Sequence, residues 1–163
     1  MTLGKAFEPG SDNSHFCKPA AVAVMSTGDF FVADGYCNSR VVKFNSRGEK
    51  ILEWGRAYQP NMFAGVQSWF SRLSPPAYAF QIPHALALAE EHDLLCVADR
   101  ENGRIQCFKA SNGEFEYKIE SLDFGGRLFS VAYSPVNGKQ GYVRLCYYLL
   151  MILKNYVTFF NLC

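Results

Sequence analysis

The stretch Leu94-Leu95-Cys96-Val97-Ala98-Asp99-Arg100-Glu101-Asn102-Gly103-Arg104-Ile105-Gln106-Cys107-Phe108 decides the fold, because the chain contains it twice. Its earlier copy is Phe30-Phe31-Val32-Ala33-Asp34-Gly35-Tyr36-Cys37-Asn38-Ser39-Arg40-Val41-Val42-Lys43-Phe44. Asp34 and Asp99 lie 65 residues apart, and Asn38 with Asn102 and Arg40 with Arg104 lie 64 apart. The likeness continues outward on both sides. Upstream, Pro19-Ala20-Ala21-Val22-Ala23-Val24 matches Pro83-His84-Ala85-Leu86-Ala87-Leu88, and downstream Lys50-Ile51-Leu52-Glu53-Trp54 corresponds to Phe115-Glu116-Tyr117-Lys118-Ile119. Each copy is therefore four short runs rich in β-branched and aromatic residues, separated by Gly, Asn, Asp and Ser turns. An insertion over residues 56–81 inflates the offset, and without it the unit is about 40 residues, the size of one four-stranded β-propeller blade. A third copy opens at Leu128-Phe129-Ser130-Val131-Ala132-Tyr133.

Composition narrows the class. Sixteen Lys and Arg against 15 Asp and Glu leave a net charge of +1 in 163 residues, so no long-range field recruits a polyanion and nucleic acid is not an expected partner. With 49% hydrophobic and 19% charged residues the chain is expected to fold, and 15% aromatics favour strands. The first ten residues lack the apolar run of a secretory signal, yet four of the six cysteines are spaced as if paired, which belongs to an oxidising compartment. A missing N-terminal portion reconciles the two. The apolar run at residues 145–153 is nine residues long, too short to span a bilayer.

Several side chains are candidates for particular roles. Asp34 and Asp99 can accept hydrogen bonds from turn amides, and Arg40 and Arg104 can pair with carboxylates, a structural role repeated in each blade. Cys96 and Cys107 are centred between Glu101 and Asn102, and Cys17 and Cys37 on Thr27, both inside predicted turns, so each pair can close a hairpin. His84 starts the inner strand of the second blade, where the first has Ala20; alone it is a structural histidine, with imidazoles from other blades a zinc ligand. Tyr36, between Gly35 and Cys37, is a candidate acid or base that needs a cation or metal beside it. Arg100 occupies the matching turn of the second blade and can receive a carboxylate. His15 and His92 sit in polar loops and are expected to be solvated or to support other ligands. The chain has no phosphate-binding glycine loop, nucleophile elbow or Cys-x-x-Cys.

The blade pattern resembles the NHL-type propeller repeat, which specifies a fold and no activity. A narrower resemblance rests on His15-Phe16-Cys17, the run from Phe31 through Arg40, Ile82-Pro83-His84-Ala85-Leu86 and above all the run from Cys96 through Phe108. Over about residues 4–139 these are similar to the lyase domain of peptidylglycine α-amidating monooxygenase, peptidyl-α-hydroxyglycine α-amidating lyase, a six-bladed propeller. The resemblance implies an all-β fold: two full blades and the start of a third over residues 1–139, then a non-homologous apolar tail over residues 140–163.

It also implies the reaction, cleavage of the N–Cα bond of a C-terminal α-hydroxyglycine to give a peptide amide and glyoxylate. Peptides ending in α-hydroxyglycine are the implied substrates, and the secretory pathway or extracellular space the implied location. His84 matches one of three zinc histidines, Tyr36 the catalytic base, and Arg100 an arginine of substrate recognition. The family disulfides map onto Cys17 with Cys37 and Cys96 with Cys107. The other zinc ligands and the calcium ligands would lie outside this chain, which is accordingly expected to be a truncated lyase, inactive alone and prone to self-association through open blade edges. A non-catalytic propeller fragment that binds proteins is the alternative, and a membrane-associating tail is the alternative for the C-terminal residues.

Overall fold

A computed structural model describes residues 1–58, 75–121, 124, 126–136, 139–144, 152–153 and 156–157, with side chains described as far as residue 133. It is an all-β structure built from antiparallel sheets. The first sheet runs in simple order through β1 (Ala21–Val24), β2 (Phe30–Asp34), β3 (Arg40–Phe44) and β4 (Lys50–Trp54). A short parallel pair, β5 (Arg56–Ala57) with β6 (Ala79–Phe80), follows. The second sheet repeats the first with β7 (Pro83–Ala89), β8 (Leu94–Asp99), β9 (Arg104–Lys109) and β10 (Phe115–Glu120). These are two propeller blades. A third begins as the hairpin of β11 (Ala132–Val136) and β12 (Lys139–Arg144), and a two-residue pair, β13 (Ile152–Leu153) with β14 (Tyr156–Val157), lies beyond it. No helix among the described residues is long and apolar enough to cross a membrane.

Lys139, the last residue of the expected partial propeller, lies within this hairpin. Lys139 is the first residue of β12, and pairing continues until Arg144 faces Ala132. Backbone hydrogen bonds extend this hairpin through residues that carry no repeat pattern, since strand pairing does not depend on side-chain identity. Most of the remaining expected tail lies outside the described residues.

Strand alternation explains how the blades stack. In β1–β3, one side of the sheet presents Ala23, Phe31 and Val41, joined by Trp54 from β4. These pack against Phe80, Leu95, Val97 and Phe108, forming a core in which every one of the larger rings is at least nine-tenths buried. Two polar contacts tie the same interface: Lys43 Nζ donates to the Ala110 carbonyl at 2.9 Å, and Glu90 accepts from Ser26 N at 2.8 Å and Ser26 Oγ at 2.6 Å. The other side of the first sheet presents Phe30, Val32, Val42 and Phe44, over which Leu3 and Phe16 fold. Beyond the second sheet, Ala87, Ala98 and Ile105 pack against Phe124, Leu128 and Val131.

The repeated Asp, Asn and Arg form the same buried knot in each blade. Asp34 accepts from Cys17 N at 2.8 Å, Asn38 Nδ2 at 2.7 Å and Arg40 Nε at 2.9 Å. Asp99 accepts from Gln81 N at 2.7 Å, Asn102 Nδ2 at 2.8 Å and Arg104 Nε at 2.9 Å. Each guanidinium then gathers carbonyls of the loop that enters its blade: Ser11, Asp12 and His15 for Arg40, and Pro75, Pro76 and Ala79 for Arg104. A buried ion pair persists only when its remaining hydrogen-bonding capacity is filled, and the loop carbonyls do that.

Both hairpins carry a disulfide. Cys96 faces Cys107 directly in the β8–β9 register, with Cα atoms 4.1 Å apart. The Cys17–Cys37 bridge, with Cα atoms 5.4 Å apart, lies where the β1–β2 register would arrive if extended four residues past Ala21 and Ala33.

His15, expected to be solvated or to support other ligands, is not a freely solvated ring. Its side chain is only 15% exposed, and Nδ1 lies 2.8 Å from the Asp12 carboxylate, whose pKa this hydrogen bond, aided by Ser14, holds far below the usual range. The loop is pulled inward because Arg40 collects its carbonyls. His92 meets the Tyr133 ring edge-on at 6.2 Å.

Candidate functional site

Tyr36, His84 and Arg100 are separated by as many as 64 residues in sequence, and the blade stack brings them into contact. Tyr36 lies in the β2–β3 turn, held between Gly35 and the bridged Cys37. Gly35 is required by close approach: a Cβ there would collide with the Pro83 carbonyl of the next blade. That approach sets Tyr36 beside the start of β7, where His84 is the second residue. Arg100 opens the single 3₁₀ turn Arg100–Asn102 between β8 and β9. Its backbone is fixed by three hydrogen bonds: Arg100 N to the Ile82 carbonyl at 3.1 Å, and Leu128 N at 3.0 Å and Gly103 N at 3.2 Å to the Arg100 carbonyl.

The hydrogen bonds have a readable direction. His84 Nδ1 lies 2.8 Å from the Phe129 carbonyl, which can only accept, so Nδ1 carries the proton. In the neutral imidazole Nε2 is then the acceptor, and the Tyr36 hydroxyl, 3.2 Å away, donates to it. Arg100 Nη1 donates to the same phenolic oxygen at 3.4 Å. The order is Arg100 to Tyr36 to His84, with the imidazole anchored on the far side by a main-chain carbonyl. Such an anchor is the usual support of a metal-binding histidine, since it orients the ring and raises the basicity of the free nitrogen.

Aromatic contacts complete the enclosure. The His84 ring meets Tyr36 and Phe129 near edge-on, each with centroids 5.8 Å apart. The Arg100 guanidinium lies 4.4 Å from the Phe129 ring centre and 5.8 Å from that of Tyr36. Among the described residues Arg100 Nε has no hydrogen-bond acceptor, although a Glu101 carboxylate oxygen stands 3.2 Å away in ion-pair contact; the second oxygen of Glu101 pairs with Arg127 at 2.9 Å. Tyr36 is 47% exposed, so the group opens to solvent on the phenol side.

The arrangement offers a hydroxyl that can exchange a proton, an imidazole nitrogen with a lone pair, and a cation suited to a carboxylate. Among the described residues, no three His, Cys, Asp or Glu side chains converge as a metal cluster, so His84 supplies a single imidazole. Asp99 lies directly behind Arg100 in sequence but serves the buried knot instead, where burial pushes its carboxyl up despite the Arg104 contact. Phe129 and Glu101 were not singled out from sequence. Phe129 had a signal, since it occupies the position in the third copy that His84 occupies in the second and Ala20 in the first.

Comparison with known proteins agrees with the repeats. The NHL repeat model matches residues 16–44 and 80–108. Over 140 residues, 86% of this chain, the sequence is 53% identical to peptidyl-alpha-hydroxyglycine alpha-amidating lyase 1 of Drosophila melanogaster and spans 24% of that protein. It is 47% identical over 149 residues to peptidyl-glycine alpha-amidating monooxygenase B of Xenopus laevis, covering 87% of this chain and 16% of the relative. A probable peptidyl-alpha-hydroxyglycine alpha-amidating lyase of Caenorhabditis elegans is 44% identical over 137 residues, 80% of this chain and 35% of its own length. The chain thus spans roughly a quarter or less of the first two. Among solved structures, a chain of a nidogen/laminin complex superposes with a TM-score of 0.52 at 14% identity, covering 82% of this chain and 41% of that one, and shares the fold.

Proposed function

We propose that this chain, which resembles the α-amidating lyases over most of its length, carries part of the site that cleaves peptidyl-α-hydroxyglycine to a peptide amide and glyoxylate. The observation that carries the reading is the contact of Tyr36 with both His84 and Arg100. Arg100 binds the terminal carboxylate of the substrate and orients the hydroxyl-bearing carbon toward Tyr36. Tyr36 acts as the base: its own hydroxyl proton, donated to His84 Nε2 in the resting contact, passes to solvent when the substrate arrives, and its oxygen takes the proton of the α-hydroxyl. As the hydroxyl oxygen forms the C=O of glyoxylate, the Cα–N bond breaks and its electron pair passes to nitrogen. The amide nitrogen takes up the proton that Tyr36 removed, so atoms and charge balance and the Tyr36 oxygen returns to its starting state. His84 is the residue of this chain that would hold zinc, which when bound supplies Lewis-acid stabilisation of the developing negative charge. A complete zinc site needs imidazoles in addition to His84.

The test titrates isotope-labelled chain, disulfides intact, with a peptide ending in α-hydroxyglycine, and assays glyoxylate after zinc is added. Resonances of Tyr36, His84 and Arg100 should shift together, Arg100→Lys should weaken binding about tenfold, and any glyoxylate release should vanish in Tyr36→Phe. Binding that leaves all three residues unshifted overturns the reading.

A further inference from the structure

We propose that Phe129 is a positioning residue of this site, its ring serving as the seat that aims the Arg100 guanidinium. The identity of the ligand rests on the lyase reading above, whereas the positioning rests on geometry alone. Arg100 reaches the site from a turn of only three residues, and its Nε finds no hydrogen-bond acceptor among the described residues. Its side chain is held from two directions. Glu101, itself clamped by Arg127, faces Nε, and the Phe129 ring lies under the guanidinium plane at 4.4 Å, the shorter of its two ring contacts. A carboxylate on one side alone would let the long side chain swing about the ion pair. An aromatic face fixes the plane, and a guanidinium so seated keeps Nη1 on the Tyr36 oxygen.

The same residue anchors the second member of the site, since its carbonyl accepts from His84 Nδ1. One residue thus places both a cation and an imidazole against Tyr36. The repeat accounts for this: Phe129 stands in the third copy where His84 stands in the second, so successive blades deliver equivalent positions to one point. The residue is 37% exposed, too open for the core packing role that would otherwise explain a phenylalanine here.

The experiment measures glyoxylate binding to the full chain by the guanidinium resonances of Arg100. Phe129→Leu should weaken binding about 3- to 10-fold, the range expected for loss of a partly exposed cation–π contact, and Phe129→Tyr should restore it to within about twofold of the native chain. Because the ring acts through Arg100, Phe129→Leu combined with Arg100→Lys should bind no more weakly than Arg100→Lys alone. Native affinity in Phe129→Leu, or losses that multiply in the double variant, overturns the proposal. If the native chain binds no glyoxylate, the lyase reading fails and positioning is decided by the Arg100 resonances alone. The ring should shift them in the native chain and in Phe129→Tyr but not in Phe129→Leu, and identical shifts in all three overturn it.

Discussion

Replacing Asp99 by alanine removes the centre of the second buried knot and the carboxylate that pairs with Arg104. Both side chains are fully buried, and the pair is 2.9 Å apart. Arg104 keeps its loop carbonyls, so its hydrogen bonds survive in part, but its charge is no longer neutralised by Asp99. Breaking a buried pair from one side costs about 3–5 kcal/mol, and the part-buried Gln81 N–H, partly reachable by water, adds at the low end of about 1–3 kcal/mol. Against this, the carboxylate is itself penalised by burial, as its raised pKa shows, and removing it returns part of that cost. A net loss of about 4 kcal/mol follows, a large share of the roughly 5–15 kcal/mol that holds an ordinary domain together. Urea unfolding at pH 7, followed by fluorescence of the buried Trp54 with disulfides intact, measures it. At a slope of about 1–3 kcal/mol per molar the midpoint should fall by more than about 1 M. Asp34→Ala should cost less, about 2 kcal/mol, because Arg40 retains Glu53 at 3.1 Å. Asp99→Ala with Arg104→Met removes both charges and should recover most of the loss. A single variant costing less than about 1 kcal/mol, or a double variant less stable than the single, would refute the argument.

Gly35→Ala should separate Tyr36 from His84, because the added methyl meets the Pro83 carbonyl; a nuclear Overhauser contact between the two rings, present in the native chain, should disappear. Replacing Cys96 and Cys107 together by serine should lower stability by about 2–4 kcal/mol in the same urea experiment, and an unreduced digest of the native chain should yield Cys17 linked to Cys37 and Cys96 to Cys107. Glu90 links the blades through Ser26, whose hydroxyl and amide hold its carboxyl below its ordinary value of 4.5. A carboxylate with a depressed folded pKa stabilises above the unfolded value and loses that contribution as pH falls through the folded one. The side-chain carbon of Glu90 should therefore titrate below 4.5, and Ser26→Ala should bring its midpoint back toward that value.

Within a blade, almost everything was legible. The runs that end at Asp34 and Asp99 and resume at Arg40 and Arg104 are β2–β3 and β8–β9, and the midpoints of the cysteine pairs fall in their turns or extend their registers. The reason is that antiparallel pairing links residues by a constant sum of their numbers, so one turn determines every partner along the hairpin. Beyond Leu128, where the third copy opens, β11 pairs with β12 through main-chain bonds that any sequence can make.

Between blades, the sequence alone was silent. Nothing local to His15 announces that Arg40 will draw its loop inward, nor does Lys43 on β3 show that its ammonium crosses to the Ala110 carbonyl. Tyr36, His84 and Arg100 could be named one at a time from sequence and family likeness, but their contact, and the place of Phe129 beneath Arg100, came only from the stacking of the sheets. That stacking is set by the summed packing of Phe31, Val41, Trp54, Leu95, Val97 and Phe108, a sum of many weak contacts with no sequence signature of its own. Register is a property of neighbours along a hairpin and can be counted, whereas the angle and distance between blades emerge only when the whole core is packed.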